Sequence, residues 1–276
     1  MTTRELDTGT DELLCSVTNH VATITLNRPD KRNALGDRLT PALRDALLRT
    51  EADPDVRVLV LTGAGGAFCA GGDISGMGDN LSLGAGPKPS FDDLVRNLQH
   101  AQETITLRLY EFAKPTIAAL PGPAAGAGMS IALACDLRIA AESACLVPAF
   151  GQIGLSGDFG GSWLLSRLIG PGRAKEVYFT GRRIGAPEGQ ALGVFNRVVP
   201  ADRLIKETGE LAAGIANGPP VALRYMKENH NRAMVTDLKT AMALEADRMM
   251  RCLHTDDHKH AAEAFFAKRA PEFRGR

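Results

Sequence analysis

The stretch VRVLVLTGAGGAFCAGGDI, residues 56–74, decides how this chain of 276 residues is built. Its first half is a run of valine and leucine with no polar alternation. Such a run suits a strand buried on both faces, the habit of parallel sheets. The strand then runs straight into glycines, as it would in a parallel α/β unit. A dinucleotide loop would follow a strand in the same way, but the spacing fails. Gly63-x-Gly65 demands a small residue at position 68, and Phe68 stands there. The chain has no Walker A sequence either.

Upstream, LLCSV and VATITL alternate around Thr18-Asn19-His20, which predicts a hairpin with a short turn. TPALRDALLRTEAD has helical spacing, with Pro41 where an early-helix proline is tolerated. Downstream, Ser75 to Pro89 is rich in glycine, serine and proline and is expected to be a mobile loop. FDDLVRNLQHAQETITLRLYEF predicts one long helix, PTIAAL and LRIAA two short strands, and GAGMSIALACD a small-residue helix between them. From Ala201 the patterns are helical and no strand is apparent. A boundary near Pro200 would divide an α/β core, 1–200, from a helical C-terminal part, 201–276.

The 32 Lys and Arg are matched by 32 Asp and Glu. Without a basic excess, nucleic acid is not an expected partner. No apolar run approaches the roughly 18 residues needed to span a bilayer, so no membrane association is expected. The five cysteines are scattered without a CxxC and read as small core residues in a reducing compartment, the cytoplasm.

Candidate chemistry centres on glycine turns and one carboxylate. Free backbone amides after the strand, and at the start of the helix in PGPAAGAGMS, could converge on one developing negative charge. The same glycines could equally serve only to let chain segments pack tightly. Asp158 is the one charged residue in GQIGLSGDFGGSWLL, residues 151–165, where a lone carboxylate calls for a use. Ser130 lies outside a GxSxG elbow, which argues against a hydrolase nucleophile. His254, His258 and His260 lack an HExxH spacing and read as solvated, so no metal is expected. Cys69 reads as a packed thiol and Trp163 as core.

These segments resemble the enoyl-CoA hydratase/isomerase, or crotonase, family. VATITLNRPDKRNAL, GAFCAGGDI, KPTIAALPGPAAGAGMSIALACDLRIAA and GGSWLLSRLIGPGRAKEVYFTGRRIGAPEGQALGVFNRVVP stand in the family's order. The resemblance implies an α/β crotonase fold, a spiral of β-β-α units whose C-terminal helices build a homotrimer or a dimer of trimers. It implies an acyl-CoA thioester as substrate and no separate cofactor, coenzyme A being part of the substrate. It places the two amides that hold the thioester oxygen at Gly72 and Ala127, the latter where glycine is more usual. Ala70, Gly71, Asp73 and Ile74 would line the adenine and pantetheine path, and Lys31 and Arg32 would lie near the phosphates. Phe265 and Lys268 match positions at which a neighbouring subunit's tail touches CoA.

The sequence also departs from the family's hydratases. Their two glutamates fall here on Ser130 and Phe150. Asp158 falls where branches with a GLxPDxGG-like motif carry an acid over the acyl chain, such as epoxyphenylacetyl-CoA isomerase-like enzymes and 4-chlorobenzoyl-CoA dehalogenases. Here Gly157 replaces the proline. Dehalogenases also use a histidine where this chain has Glu103, which counts against that reaction. One carboxylate suffices to move a proton between two carbons if the enolate is held, so the expected reaction is double-bond isomerisation of an enoyl-CoA with Asp158 as shuttle. Hydration, with Glu103 a candidate second group, and a non-catalytic acyl-CoA-binding subunit are the alternatives.

Overall fold

The computed structural model describes residues 3–73 and 89–276. Among them a seven-stranded sheet organises the chain. Strands β1 (Thr3–Glu5), β2 (Leu13–Thr18) and β3 (Val21–Leu26) are antiparallel neighbours. Strands β4 (Val58–Gly63), β5 (Thr116–Leu120), β7 (Leu137–Ala141) and β10 (Arg197–Val199) then extend the sheet in parallel from β3. A second sheet pairs β6 (Ala124–Ala125) with β8 (Cys145–Val147) in parallel and β8 with β9 (Ile184–Gly185) antiparallel. The expected hairpin is present. Asn19 and His20 both have positive φ, 49° and 66°, as a two-residue turn of type I′ requires.

The unbroken apolar run of β4 has a direct cause. Leu59 and Leu61 join one core cluster, with Leu39, Leu43 and Leu47 of α1 (Leu39–Ala52). Val58 and Val60 point the other way, into a second cluster with Leu204, Ala212 and Ala216 of α7 (Leu204–Ala216). Helices cover both faces, so neither set of side chains meets water.

The predicted helix over 91–112 is interrupted. Helix α2 (Phe91–Gln102) passes into a π turn, Glu103–Leu107, and ends in one α turn, Arg108–Glu111. The wider π turn accommodates an extra residue, a local device common near functional sites, and it buries Ile105 and Thr106 in succession. Helix α3 (Ala127–Ala134) is buried along all eight residues. Its small side chains allow that, and the guanidinium of buried Arg138 donates to the carbonyls of Leu133 and Val194 at 3.3 and 2.6 Å. A cation there satisfies one of the orphan carbonyls at the helix end.

Helices α4 (Gly161–Ile169), α5 (Pro171–Thr180) and α6 (Ala186–Ala191) follow the second sheet, and after β10 come α7, α8 (Pro220–Ala233), α9 (Leu238–Leu253) and α10 (Asp256–Phe266). No strand follows β10 among the described residues. No helix among them is long and apolar enough to cross a membrane.

Candidate active site

Two turns, one after β4 and one before α3, meet at a cleft of about 510 Å³. The first is fixed by a parallel bridge between Leu35 and Gly72. Leu35 N–H donates to the Gly71 carbonyl at 2.7 Å, and Asp73 N–H donates to the Leu35 carbonyl at 2.8 Å. In a trans peptide the N–H points opposite to the preceding carbonyl. The Gly72 N–H is therefore directed away from Leu35, and the space beside the Gly72 Cα is open.

The second turn presents the N–H of Ala127, first residue of α3 and so without an intrahelical partner. Gly126 sets it up at φ 52° and ψ −127°, a conformation closed to side chains. Its own N–H donates to the Val147 carbonyl at 2.9 Å, and its carbonyl accepts the Ser130 N–H at 3.2 Å. The turns touch at Gly71, where φ is 92° and a Cβ would stand 2.9 Å from the Ala125 carbonyl oxygen and 3.4 Å from Ala127 N. The two turns are thus packed against each other at Gly71, and Gly72 and Ala127 line the same cleft. The start of α3 adds its positive dipole end to the same point.

Asp158 lines the same cleft. Its carboxylate oxygen Oδ1 is buried without a hydrogen bond, and desolvation pushes its pKa up from 3.8 to about 6. The backbone holds it in place. The Asp158 carbonyl accepts the Gly161 N–H at 3.2 Å and the Ser130 hydroxyl at 3.1 Å. Ser130 is fully buried, so the residue at the first glutamate position clips α3 to the loop that carries the acid. Phe150, at the second glutamate position, forms an apolar wall of the cleft.

The other expected residues divide. Ala70, Gly71, Asp73, Lys31 and Arg32 all line the cleft. Asp73 is also ion-paired with Arg28 at 3.0 Å, so part of its work is to fasten the turn. Ile74, and all of the 75–89 loop but Pro89, lie outside the described residues. Phe265 and Lys268 are exposed at the end of α10 and do not line this cleft. Glu103 is exposed, accepts a hydrogen bond from Gln99 at 2.9 Å and does not line the cleft, so the chain does not bring it to Asp158 as a second acid. Trp163 is not core. It is 38% exposed, between the edge of Tyr110 and the Arg167 guanidinium, which lies 3.8 Å above its ring. Cys69 is fully buried and its thiol pushed up to about 12, an inert state. His254 rests on the Met250 carbonyl at 2.7 Å, and among the described residues no group of three His, Cys, Asp or Glu is placed to hold a metal.

Asn33 carries weight that the sequence did not signal. Its buried side chain accepts the Arg28 N–H and donates to the carbonyls of Ala64 and Ala67, each at 2.9 Å. One amide thereby welds the Lys31–Arg32 segment to the glycine turn. The signal available was only an asparagine in RPDKRNAL, where φ is 58°.

The family model for enoyl-CoA hydratase/isomerase matches residues 16–276. The chain belongs to the enoyl-CoA hydratase/isomerase family. Among curated relatives of this family member, it is 36% identical over 264 residues to the 1,2-epoxyphenylacetyl-CoA isomerase of Escherichia coli K12, covering 96% of this chain and 98% of that one. It is 37% identical over 257 residues to the short-chain-enoyl-CoA hydratase of Clostridium acetobutylicum, covering 91% and 93%. The crystal structure of an enoyl-CoA hydratase from Polaromonas sp. JS666 superposes with a TM-score of 0.87 at 33% identity, covering 95% of this chain and 99% of that one. The enoyl-CoA hydratase/isomerase fold is therefore the crotonase fold, an α/β core with a parallel-rich sheet and a helical C-terminal region.

Proposed function

We propose that this enzyme isomerises the double bond of an enoyl-CoA, with Asp158 as the single proton shuttle. What supports the reading is that Asp158, a carboxylate desolvated by burial, lines the same cleft as Gly72 and Ala127, while the positions of the family's two glutamates hold Ser130 and Phe150. The thioester oxygen would sit between the N–H groups of Gly72 and Ala127. Asp158 would take a proton from C2 of a 3-enoyl thioester, leaving a dienolate whose charge the amides hold, and return it at C4. The product is the conjugated 2-enoyl thioester, with no atom gained or lost. A carboxyl group with a pKa near 6 suits a task that requires both taking and giving a proton.

Lys31 and Arg32, at the rim of the cleft, would meet the CoA phosphates, and Ala70, Gly71 and Asp73 would line the adenine and pantetheine path. Assembly as a homotrimer or dimer of trimers would bring Phe265 and Lys268 of a neighbour to the CoA. Light scattering tests that, and a monomeric mass would remove the tail contact.

The deciding experiment is a product assay on a 2-enoyl-CoA and its 3-enoyl isomer, with wild type beside Asp158→Asn. Conversion of the 3-enoyl ester without mass gain, abolished in the variant, is expected. A water adduct from the 2-enoyl ester would make the enzyme a hydratase instead. Tight thioester binding with no turnover on a broad panel would make it a binding subunit.

A further inference from the structure

Asp158 opens a tight turn whose second residue strains it. The Asp158 carbonyl accepts the Gly161 N–H at 3.2 Å, and both residues between them have positive φ, Phe159 at 48° and Gly160 at 70°. Positive φ at both central positions makes this a type I′ turn, a form dominated by Gly, Asn and Asp. Among the described residues no other large apolar side chain sits at positive φ. Glycine or asparagine at 159 would close the same turn without the backbone strain a bulky residue brings there.

The ring gives the phenylalanine its use. Phe159 is 6% exposed and joins the core cluster that holds Ile105 and Leu165. It does not line the cleft, whereas its neighbour Asp158 does. The turn thus commits one side chain to the core and the adjoining carboxylate to the cleft. That carboxylate is under an outward pull. Its Oδ1 is buried with no hydrogen bond, so the ionised form gains by turning into water. Gly157, at φ 120°, has no side chain to resist the swing. Ser130 holds the residue by its backbone carbonyl only. Asp30, Lys31, Arg32 and Asp73 line the same cleft, and the Tyr178 phenol feels the Asp158 charge, yet burial alone pushes the Asp158 pKa up. What opposes the swing is the buried ring, which the turn cannot move without exposing apolar surface.

We infer that Phe159 is a positioning residue, whose buried ring anchors the strained turn and keeps the Asp158 carboxylate in the cleft and out of bulk water. This rests on the reading of Asp158 as a desolvated acid, but not on which reaction that acid serves.

The test is the titration of Asp158 itself, by carbon NMR on the full chain labelled at aspartate Cγ. The signal is assigned by its loss in Asp158→Asn. Wild type should titrate at about 6. Phe159→Gly removes the ring and relieves the strain, so its midpoint should fall toward the ordinary 3.8. Its kcat on the 3-enoyl ester should drop by about 10²-fold, the cost of a misplaced acid, with KM moving far less. Phe159→Leu keeps an apolar anchor and should titrate as wild type does. A merely structural residue would lower the melting temperature and leave the midpoint unmoved. A midpoint still near 6 in Phe159→Gly therefore overturns the anchor alone, and so does a leucine variant that falls as far as the glycine one. Should Phe159→Gly not fold, Phe159→Asn takes its place, because asparagine also suits the left-handed region. A wild-type midpoint near 3.8 overturns both the anchor and the reading of Asp158 on which it rests.

Discussion

Replacing Asp158 with asparagine should make the protein more stable while removing its chemistry. The carboxylate has no hydrogen-bonding partner at Oδ1, and its pKa stands at about 6 against an ordinary 3.8. That gap corresponds to about 3 kcal/mol of destabilisation of the ionised form, which the site's partial exposure reduces to roughly 1–2 kcal/mol. The sign follows from linkage. A carboxyl group whose pKa is raised on folding costs nothing below about pH 3.8, where both states are protonated. The cost grows as pH rises from there and is complete above about 6. Asparagine keeps the shape and carries no charge at any pH. At pH 7.5 the variant should melt above wild type by about 2–4 °C per kcal/mol gained, and at pH 5 the advantage should shrink to roughly half. Differential scanning fluorimetry at both values reads this directly. Equal melting temperatures at pH 7.5, or an advantage that does not shrink at pH 5, would refute the account of Asp158 as an unpaired desolvated acid.

The same ionisation predicts a pH profile: kcat/KM for the 3-enoyl ester should rise through about pH 6 as Asp158 becomes a base, and a profile flat between pH 5 and 7 would contradict it. Gly71→Ala places a methyl 2.9 Å from the Ala125 carbonyl oxygen and must part the two turns. A fall in kcat of about 10²–10³-fold is expected, the cost of one lost oxyanion donor, and steady-state rates near wild type would show that the amides do not act together. Asn33→Ala removes three hydrogen bonds, one buried and two part-buried, and should lower stability by about 2–3 kcal/mol, read as a lower urea midpoint; an unchanged midpoint would deny the weld between the two loops.

The elements of the core were legible because each rests on local rules. The run over Val58–Leu61 is apolar on both faces and was a two-faced strand, and Asn19-His20 took the positive φ values a two-residue hairpin turn needs. The segment over 91–112 departs from one continuous α-helix in one respect. Apolar periodicity reports a face but not whether a turn holds one residue more, so the π turn at Glu103–Leu107 did not show. Trp163 lies outside the core for a related reason: apolar character predicts burial only on average, and the Arg167 cation and Tyr110 edge give its ring partners at the surface.

The parallel α/β core, the glycine turns that could free two amides and the one acid in an apolar loop are all legible in the chain before it folds. Those features depend on residues near each other in the chain: side-chain shape, conformational freedom, the period of a strand. Folding is what places residues 71–72 and 126–127 on one cleft, ties the Asp158 loop to Ser130 and leaves Glu103 on the surface. Such meetings join positions tens of residues apart, and desolvation, which sets the acid's pKa, depends on whatever the folded chain packs around it.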